Sequence, residues 1–432
     1  MKIQNKIGWF TATGIVVSNM VGTGVFTSLG FQLLAVSSTW NIVLLWVLGG
    51  VLALIGAFTF AELGTHYNRT GGDYVFISEA FHPLLGYLSA WTSLIVGFSA
   101  PVAIAAIAME AYLQPFQIPN LRLIIVLIVI CICFFHTKSI KFSAIFQNAT
   151  TFLKAVFVLA LLIIGLVYAA NPANGLHFQA NSAEVFKPSF AVSLLYVTYA
   201  YTGWNAAAYI VGEIKEPAKN LPKALILGTI LVTIIYVALQ LIFLKFATQN
   251  ILIGKAEVAL VAIESRFGNY PAKMVSLGIA IQLIATMSSY VWIGSRVVHS
   301  MAQNFSLWRI LRPTNANGVP TRTIWLLCGI IILLIFSGSL NKIMLYTSFL
   351  LQLMGTLAIA SIFKAKRKLG TFHAPFRPFL QIFYVIFSLF VLGFIAYDKP
   401  KESLIGLGIL GLGLITYFMS DFEKHDPTLK PL

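Results

Sequence analysis

The stretch Ser18-Asn19-Met20-Val21-Gly22-Thr23-Gly24-Val25-Phe26 lies in the middle of the first long apolar segment of the chain, residues 8–34. It places two glycines and three polar residues in a segment otherwise suited to a membrane helix. A glycine costs a helix about 1 kcal/mol relative to alanine, and backbone groups freed inside a membrane need partners from protein, water or a ligand. The stretch therefore predicts a helix break at a ligand site, with close packing between helices as the alternative.

A second interruption, Tyr199-Ala200-Tyr201-Thr202-Gly203-Trp204-Asn205, lies in the middle of the apolar segment 190–213. Each interruption opens a set of five apolar segments. Paired interruptions at corresponding positions of two halves indicate the substrate site of a transporter. The residues predicted to contact the substrate are Val21, Gly22, Thr23, Gly24, Tyr199, Ala200, Tyr201, Thr202 and Gly203.

The composition is that of an integral membrane protein. Of the 432 residues, 58% are hydrophobic and 10% are charged, whereas a soluble domain is about 45–50% apolar and about 25% charged. A soluble enzyme, a secreted scaffold and a disordered chain are excluded, because each needs a more polar sequence. The net charge of +15 is attributed to membrane topology rather than to nucleic acid, since the basic residues lie mostly between the apolar segments.

Twelve apolar segments are long enough, or nearly so, to cross a bilayer as helices, which takes about 20 residues. They predict an all-α fold with lipid contacts, and the polar segment 66–83 is interpreted as an interfacial helix or loop. Of the 29 Lys and Arg residues, 18 fall on one side and nine on the other, with Lys154 and Arg296 inside spans. The positive-inside rule then places both termini in the cytoplasm. The spans are 8–34, 41–65, 84–113, 121–136, 144–170, 190–213, 224–248, 273–300, 322–338, 343–362, 378–397 and 403–420.

A broken helix suits a zwitterionic ligand. The N–H groups and positive dipole end of one half-helix attract a carboxylate, and the carbonyls and negative end of another attract an ammonium. The main chain of an amino acid carries both groups. The three cysteines and seven histidines show no metal-ligand spacing, so we expect neither a metal nor a cofactor.

Four motifs carry a resemblance to a known family: GTGVF (22–26), AELGTHYNRTGGDYVFISEAF (61–81), AYTGWNAAAYIVGEIKEPAKNLPKA (200–224) and GSRVVHSMA (294–302). The chain resembles the amino acid–polyamine–organocation superfamily over residues 7–420, and most closely its L-type amino acid transporter branch. The resemblance implies a single domain of two inverted five-helix repeats, about 7–170 and 190–362, with helices 1 and 6 discontinuous. Two extra helices follow at about 378–420.

Lys154 lies about ten residues, or about 15 Å along the helix, from the polar residues at the inner end of its span, 144–170. A charge at that depth is costly and is usually functional, although snorkelling to the interface is the alternative. In the resembling branch a lysine here takes the place of sodium, which implies sodium-independent transport. The hydroxyls of Thr286, Ser288 and Ser289 could ligate sodium, so a sodium site remains the alternative. Tyr236 and Asn205 are further candidates for coupling or gating, with plain packing as the alternative for Tyr236.

We therefore expect a carrier of neutral L-amino acids that works by alternating access, as an exchanger or a facilitator. Thr202 stands where large-substrate members of the branch have glycine, which favours small side chains. Residues 114–120 contain no cysteine, whereas members linked to a heavy chain carry one there, so we expect no accessory subunit. The short termini suggest the inner membrane of a bacterium.

Two other functions remain as alternatives. A proton-coupled carrier of cationic amino acids or polyamines would need a carboxylate near the breaks, and neither 14–30 nor 190–212 contains Asp or Glu. A membrane enzyme or receptor is the alternative from another class. An enzyme would need a cluster of catalytic residues at membrane depth, and the sequence shows none, so we expect a protein that is not an enzyme.

Overall fold

The computed structural model describes residues 7–170, 181–338 and 340–421, and these form helices joined by short connections. Both termini that the sequence places in the cytoplasm, 1–6 and 422–432, lie outside the described residues. The α-helices are α1 (Trp9–Met20), α2 (Gly24–Gln32), α3 (Thr39–Tyr67), α4 (Asp73–Ala80), α5 (Pro83–Thr92), α6 (Ala100–Leu113), α7 (Leu121–His136), α8 (Ile140–Val167), α9 (Ser182–Val185), α10 (Pro188–Ala200), α11 (Pro217–Phe246), α12 (Gln249–Leu252), α13 (Val258–Phe267), α14 (Asn269–Asn304), α15 (Thr321–Ser337), α16 (Leu340–Ala360), α17 (Phe379–Asp398) and α18 (Pro400–Phe418).

Helices lie at all twelve predicted spans, and the all-α membrane fold is confirmed. Within the described ranges, nine helical stretches are long and apolar enough to cross a membrane: Trp9–Gln32, Thr39–Tyr67, Pro83–Phe116, Ile145–Val167, Pro217–Phe246, Asn269–Asn304, Leu340–Phe363, Phe379–Asp398 and Pro400–Phe418. The shorter apolar helices Leu121–His136, Pro188–Ala200 and Thr321–Ser337 lie at the other three predicted positions. A π-helical turn, Ser93–Ser99, joins α5 to α6.

The helices differ in how much of their surface the protein buries. In the most apolar 18 residues of the stretch Pro83–Phe116, 83% of the residues are buried, whereas in those of α18 17% are buried. Exposed Leu and Phe side chains on α8, α17 and α18 face outward, as expected for helices against lipid. The interrupted helices are interior: α1 packs against α11 and α14, and α2 packs against α10.

The first interruption lies where the sequence predicts. The last backbone bond of α1 runs from the Val21 N–H to the Val17 carbonyl, and α2 begins at Gly24 with bonds from Phe26 and Thr27 to the Thr23 carbonyl. Residues 21–23 are not helical, whereas Gly24, which we expected in the break, is the first residue of α2.

The second interruption begins two residues later than predicted. Tyr199 and Ala200 remain helical because the Tyr201 N–H still bonds to the Val197 carbonyl at 3.0 Å. The break covers 201–205, where Gly203 adopts φ +100°. The chain then continues as a 3-10 helix, Ala206–Glu213.

The polar segment 66–83 contains α4, which is not one of the spans. The outer surface of this segment carries an exposed ion pair between Arg69 and Glu79, at 2.6 Å. The first residue of α4, Asp73, is instead buried with 9% of its surface exposed. Gly71 and Gly72 have positive φ and allow this turn toward the interior.

Candidate substrate site

Two glycines bring the helix breaks into direct contact. A Cβ at Gly24 would lie 2.4 Å from the Cα of Ala200, and a Cβ at Gly203 would lie 2.8 Å from the carbonyl carbon of Asn19. Each interrupted segment therefore contributes a glycine, in or next to its break, that faces the backbone next to the other break. Only a residue without a side chain permits backbones to approach this closely.

Tyr236 joins the ends of the two broken helices. Its side chain on α11 is fully buried. Its hydroxyl is shared between the carbonyl of Met20, the last residue of α1, and the carbonyl of Ala200, the last residue of α10, with 2.9 Å to the second. The hydroxyl thus supplies a partner to groups that helix termini leave unsatisfied.

Lys154 approaches the same break from α8. Its Nζ donates to the Ser18 carbonyl at 3.0 Å, to the Val21 carbonyl at 2.6 Å and to Thr286 Oγ1 at 2.9 Å. The side chain is 2% exposed, so it is held inside the protein and does not snorkel. Its charge lies at the carbonyl end of α1, where a cation is stabilised.

The dipole ends are arranged for a ligand with two charges. The first N–H groups of α2 lack intrahelical acceptors, and the contact between Gly24 and Ala200 places them beside the carbonyl end of α10. The carbonyl end of α1 also lies beside the carbonyl end of α10, because the Tyr236 hydroxyl contacts both. One positive end and two negative ends therefore meet in a small volume.

Two neighbouring cavities open at this point and share Asn19, Tyr199, Thr202 and Tyr290 in their walls. The smaller cavity, about 10 Å³, is also lined by Gly22, Thr23, Gly24 and Ala200. The larger cavity, about 100 Å³, is also lined by Tyr201, Gly203 and Asn205. Among the predicted site residues, Val21, Lys154 and Tyr236 do not line either cavity. Lys154 and Tyr236 instead bond to backbone carbonyls next to the breaks.

Thr202 occupies the boundary between the two cavities. Its hydroxyl donates to the Tyr199 carbonyl at 2.7 Å and lies 3.3 Å from the hydroxyl of Tyr290. Tyr290, on α14, was missed in the sequence, because a single tyrosine in a membrane helix is typical of packing. Thr202 lies in the walls of both cavities.

A chain of polar side chains supports the first break from behind. His136 Nε2 lies 2.8 Å from Ser288 Oγ, which donates to Gln147 Oε1 at 3.0 Å. Gln147 Nε2 in turn donates to Ser18 Oγ at 3.1 Å. The sequence marked Ser288 as a candidate for sodium, whereas the structure places its hydroxyl in this chain. Because these residues are far apart in sequence, no local pattern indicates that they form a network.

Asp73 was also missed, and it corrects an argument from the sequence. We argued against a proton-coupled carrier because no carboxylate lies within 14–30 or 190–212, yet the fold brings Asp73 into the wall of the larger cavity. Burial raises the pKa of Asp73 to about 6, although hydrogen bonds from Tyr209 and Asn205 lower it in part. A linear search around the breaks could not find this residue, since α4 is brought there by tertiary packing.

Comparisons with known proteins show the family of this chain. The family model described as amino acid permease matches residues 7–414. The b(0,+)-type amino acid transporter 1 of Mus musculus is 29% identical, over 98% of this chain and 89% of that protein. The large neutral amino acids transporter small subunit 2 of Mus musculus is 25% identical over 98% and 82%. The cystine/glutamate transporter of Homo sapiens is 25% identical over 97% and 86%.

The interrupted helices and the nature of these relatives define the class, which is a multi-pass membrane transporter of amino acids. The match extends over nearly the whole chain. The chain belongs to the amino acid permease family, within the amino acid–polyamine–organocation superfamily that the motifs indicate.

Proposed function

We propose that this protein carries neutral L-amino acids with small side chains across a membrane by alternating access, mainly by exchange. The observation that carries the proposal is the meeting of the N-terminus of α2 with the carbonyl ends of α1 and α10. A carboxylate is stabilised at the first end and an ammonium at the other two. The protein carries its substrate and does not transform it.

The side-chain preference rests on Thr202. Its Oγ1 is fixed by the Tyr199 carbonyl, and a β-branched side chain is stiff about χ1, so the methyl group cannot easily give way. Small side chains such as those of alanine, serine and threonine should therefore fit beside Thr202 better than those of phenylalanine or tryptophan.

We further propose that transport does not need sodium. The ammonium of Lys154 is bonded to two carbonyls of the first break and to Thr286 Oγ1. It therefore supplies a positive charge where a coupled cation would otherwise stabilise these oxygens.

The chain is proposed to work without an accessory subunit, in the inner membrane of a bacterium, with both termini in the cytoplasm. One relative is by name a small subunit, yet residues 114–120 of this chain contain no cysteine for a covalent link. Cysteine labelling of the two termini in sealed vesicles tests the orientation. Labelling of either terminus from the outer side would contradict it.

The protein purified alone and placed in liposomes tests these points together. We expect uptake of labelled alanine to be faster into alanine-loaded liposomes than into empty ones, and to be unchanged when choline replaces sodium. Lys154→Ala serves as the inactive control. The absence of alanine counterflow would refute the proposed function, and a collapse of uptake in choline would refute sodium independence.

A further inference from the structure

Asp73 is a buried carboxylate in the wall of the larger cavity, and its chemistry is not used by the amino-acid site described above. The side chain is 9% exposed, and its Oδ1 has no hydrogen-bond partner within the part of the chain that the structure describes. A buried polar atom without a partner is costly, and a buried ionised carboxylate without a counter-charge is more so. The position favours a carboxyl group that carries a proton.

The neighbours of Asp73 belong to the chain that follows the second helix break. Tyr209, on the 3-10 helix 206–213, and Asn205, in the break itself, flank the carboxyl group and lower its pKa in part, and Asn205 Nδ2 donates to the Tyr209 hydroxyl at 3.2 Å. The Gly71 N–H donates to the Tyr209 carbonyl at 3.2 Å. A Cβ at Gly72 would lie 2.3 Å from the Tyr209 ring. Residues 71–73 therefore fit closely against a segment joined directly to the substrate site.

Among the residues that the structure describes, the groups around Asp73 provide no compensating cation. The titratable groups that face it are the phenols of Tyr209 on the 3-10 helix and Tyr384 on α17. Its neighbour Tyr74 is bonded to Asn304 of α14 at 2.8 Å. Arg69, on the same segment, is paired with Glu79 at the exposed surface. For Asp73, burial has the largest effect on the pKa, and neither Lys, Arg nor His is among the causes of its shift.

We propose that Asp73 binds and releases a proton during the cycle, so that amino acid movement through this protein is coupled to proton movement. The carboxylate takes a proton from water while the cavity is open to one side, forming one O–H bond. It stays neutral while Tyr209 and Asn205 cover it. When the segment 205–213 moves away from α4, water reaches the carboxyl group and the proton leaves to water. This inference rests on the proposed function, because it needs a carrier that alternates its access.

The test uses the purified protein in liposomes that contain a pH-sensitive dye. In the wild type we expect alanine added outside empty liposomes to carry protons inward. Uptake should fall as the pH rises through about 6, since the protonated fraction falls about tenfold for each further unit. In Asp73→Asn we expect the alanine exchange that remains to have a flat pH profile, and alanine to drive no proton movement.

Glu79→Gln is the matched control, because Glu79 lies on the same helix but is exposed and paired. It should keep the pH response of the wild type. Net alanine uptake into empty liposomes without proton movement would overturn the proposal, and so would an unchanged pH profile in Asp73→Asn. Selective loss of competition by lysine, with proton movement intact, would also overturn it, because Asp73 would then bind a cationic side chain.

If Asp73→Asn does not fold, the dye measurement on the wild type and the profile of Asp73→Glu decide the matter. A carboxyl one methylene longer should keep proton movement with a shifted pH midpoint, and an unshifted midpoint would overturn the proposal. Failure of alanine exchange in the wild type would instead refute the proposed function itself, so the two failures can be told apart.

Discussion

Replacing Gly24 by alanine tests the contact that brings the two helix breaks together. The new Cβ would lie 2.4 Å from the Cα and 2.6 Å from the Cβ of Ala200, whereas ordinary contacts begin near 3.4 Å. The two segments must therefore separate by about 1 Å. Overpacking of this kind costs about 1–3 kcal/mol, and the obstacle is backbone held by Tyr236, so we expect the upper end.

A strain of about 3 kcal/mol that falls on the substrate-binding arrangement lowers alanine affinity about 150-fold. We expect Gly24→Ala to elute as a folded protein from size-exclusion chromatography and to bind labelled alanine far more weakly than the wild type. Equilibrium binding to the detergent-solubilised protein measures this directly, without the turnover step.

Gly14→Ala is the matched control, because Gly14 lies in α1 and nothing is found within 4 Å of its added Cβ. Alanine there should leave binding unchanged and stabilise the helix by up to about 1 kcal/mol. Equal alanine affinity and equal thermal stability in Gly24→Ala and the wild type would refute the assignment of this contact to the substrate site.

Three further predictions follow from the same geometry. Lys154→Ala should fold but lose transport, because the carbonyls of Ser18 and Val21 lose their cation; unchanged uptake kinetics would make Lys154 purely structural. Thr202→Gly should improve competition by tryptophan against labelled alanine by about 5- to 150-fold, which corresponds to strain of about 1–3 kcal/mol. Thr202→Ser, which keeps the hydroxyl, should give a smaller gain. Strong tryptophan competition in the wild type would contradict the argument that Thr202 limits the size of the pocket. Asp73→Asn should alter the pH dependence of stability. The pKa of Asp73 is raised from 3.8 to about 6, so the native state binds its proton more tightly than the unfolded state, and stability is lost as the pH rises from about 4 to about 6. Above that range the variant should be more stable by up to about 3 kcal/mol, and melting temperatures at low and neutral pH would show a constant difference if the reasoning is wrong.

The sequence predicts the positions of the helix breaks because glycine acts on local backbone energy. Gly22 and Gly203 mark both breaks, although the second begins at Tyr201 rather than Tyr199. That shift depends on one backbone bond, from Tyr201 to Val197, whose survival no local pattern specifies. Lys154 could be predicted for a different reason, since a buried charge must find partners and the freed carbonyls are the nearest source.

Residues contributed by packing between distant segments could not be predicted. Asp73 lies in a polar segment that reads as interfacial, and only the fold turns it inward against Tyr209. Tyr290 and His136 are typical of packing residues when each is read in its own helix. Their partners are 88 and 152 positions away in sequence, at Thr202 and Ser288. Local periodicity therefore cannot predict these contacts.

The attachment of α1 has a consequence for the rate at which the unloaded protein returns. Three carbonyls at the end of α1, those of Ser18, Met20 and Val21, receive bonds from Lys154 and Tyr236. If α1 swings away as a unit, all three bonds are lost at once. At about 1 kcal/mol for a neutral bond and about 1.5–3 for a charged one, the barrier rises by about 4–7 kcal/mol, which slows the step roughly a thousandfold or more. A bound amino acid can replace some of these partners with its own charged groups, whereas an empty site cannot. The resting protein would then seldom turn over without cargo, and the ratio of uptake into loaded and empty liposomes measures how firmly α1 is held.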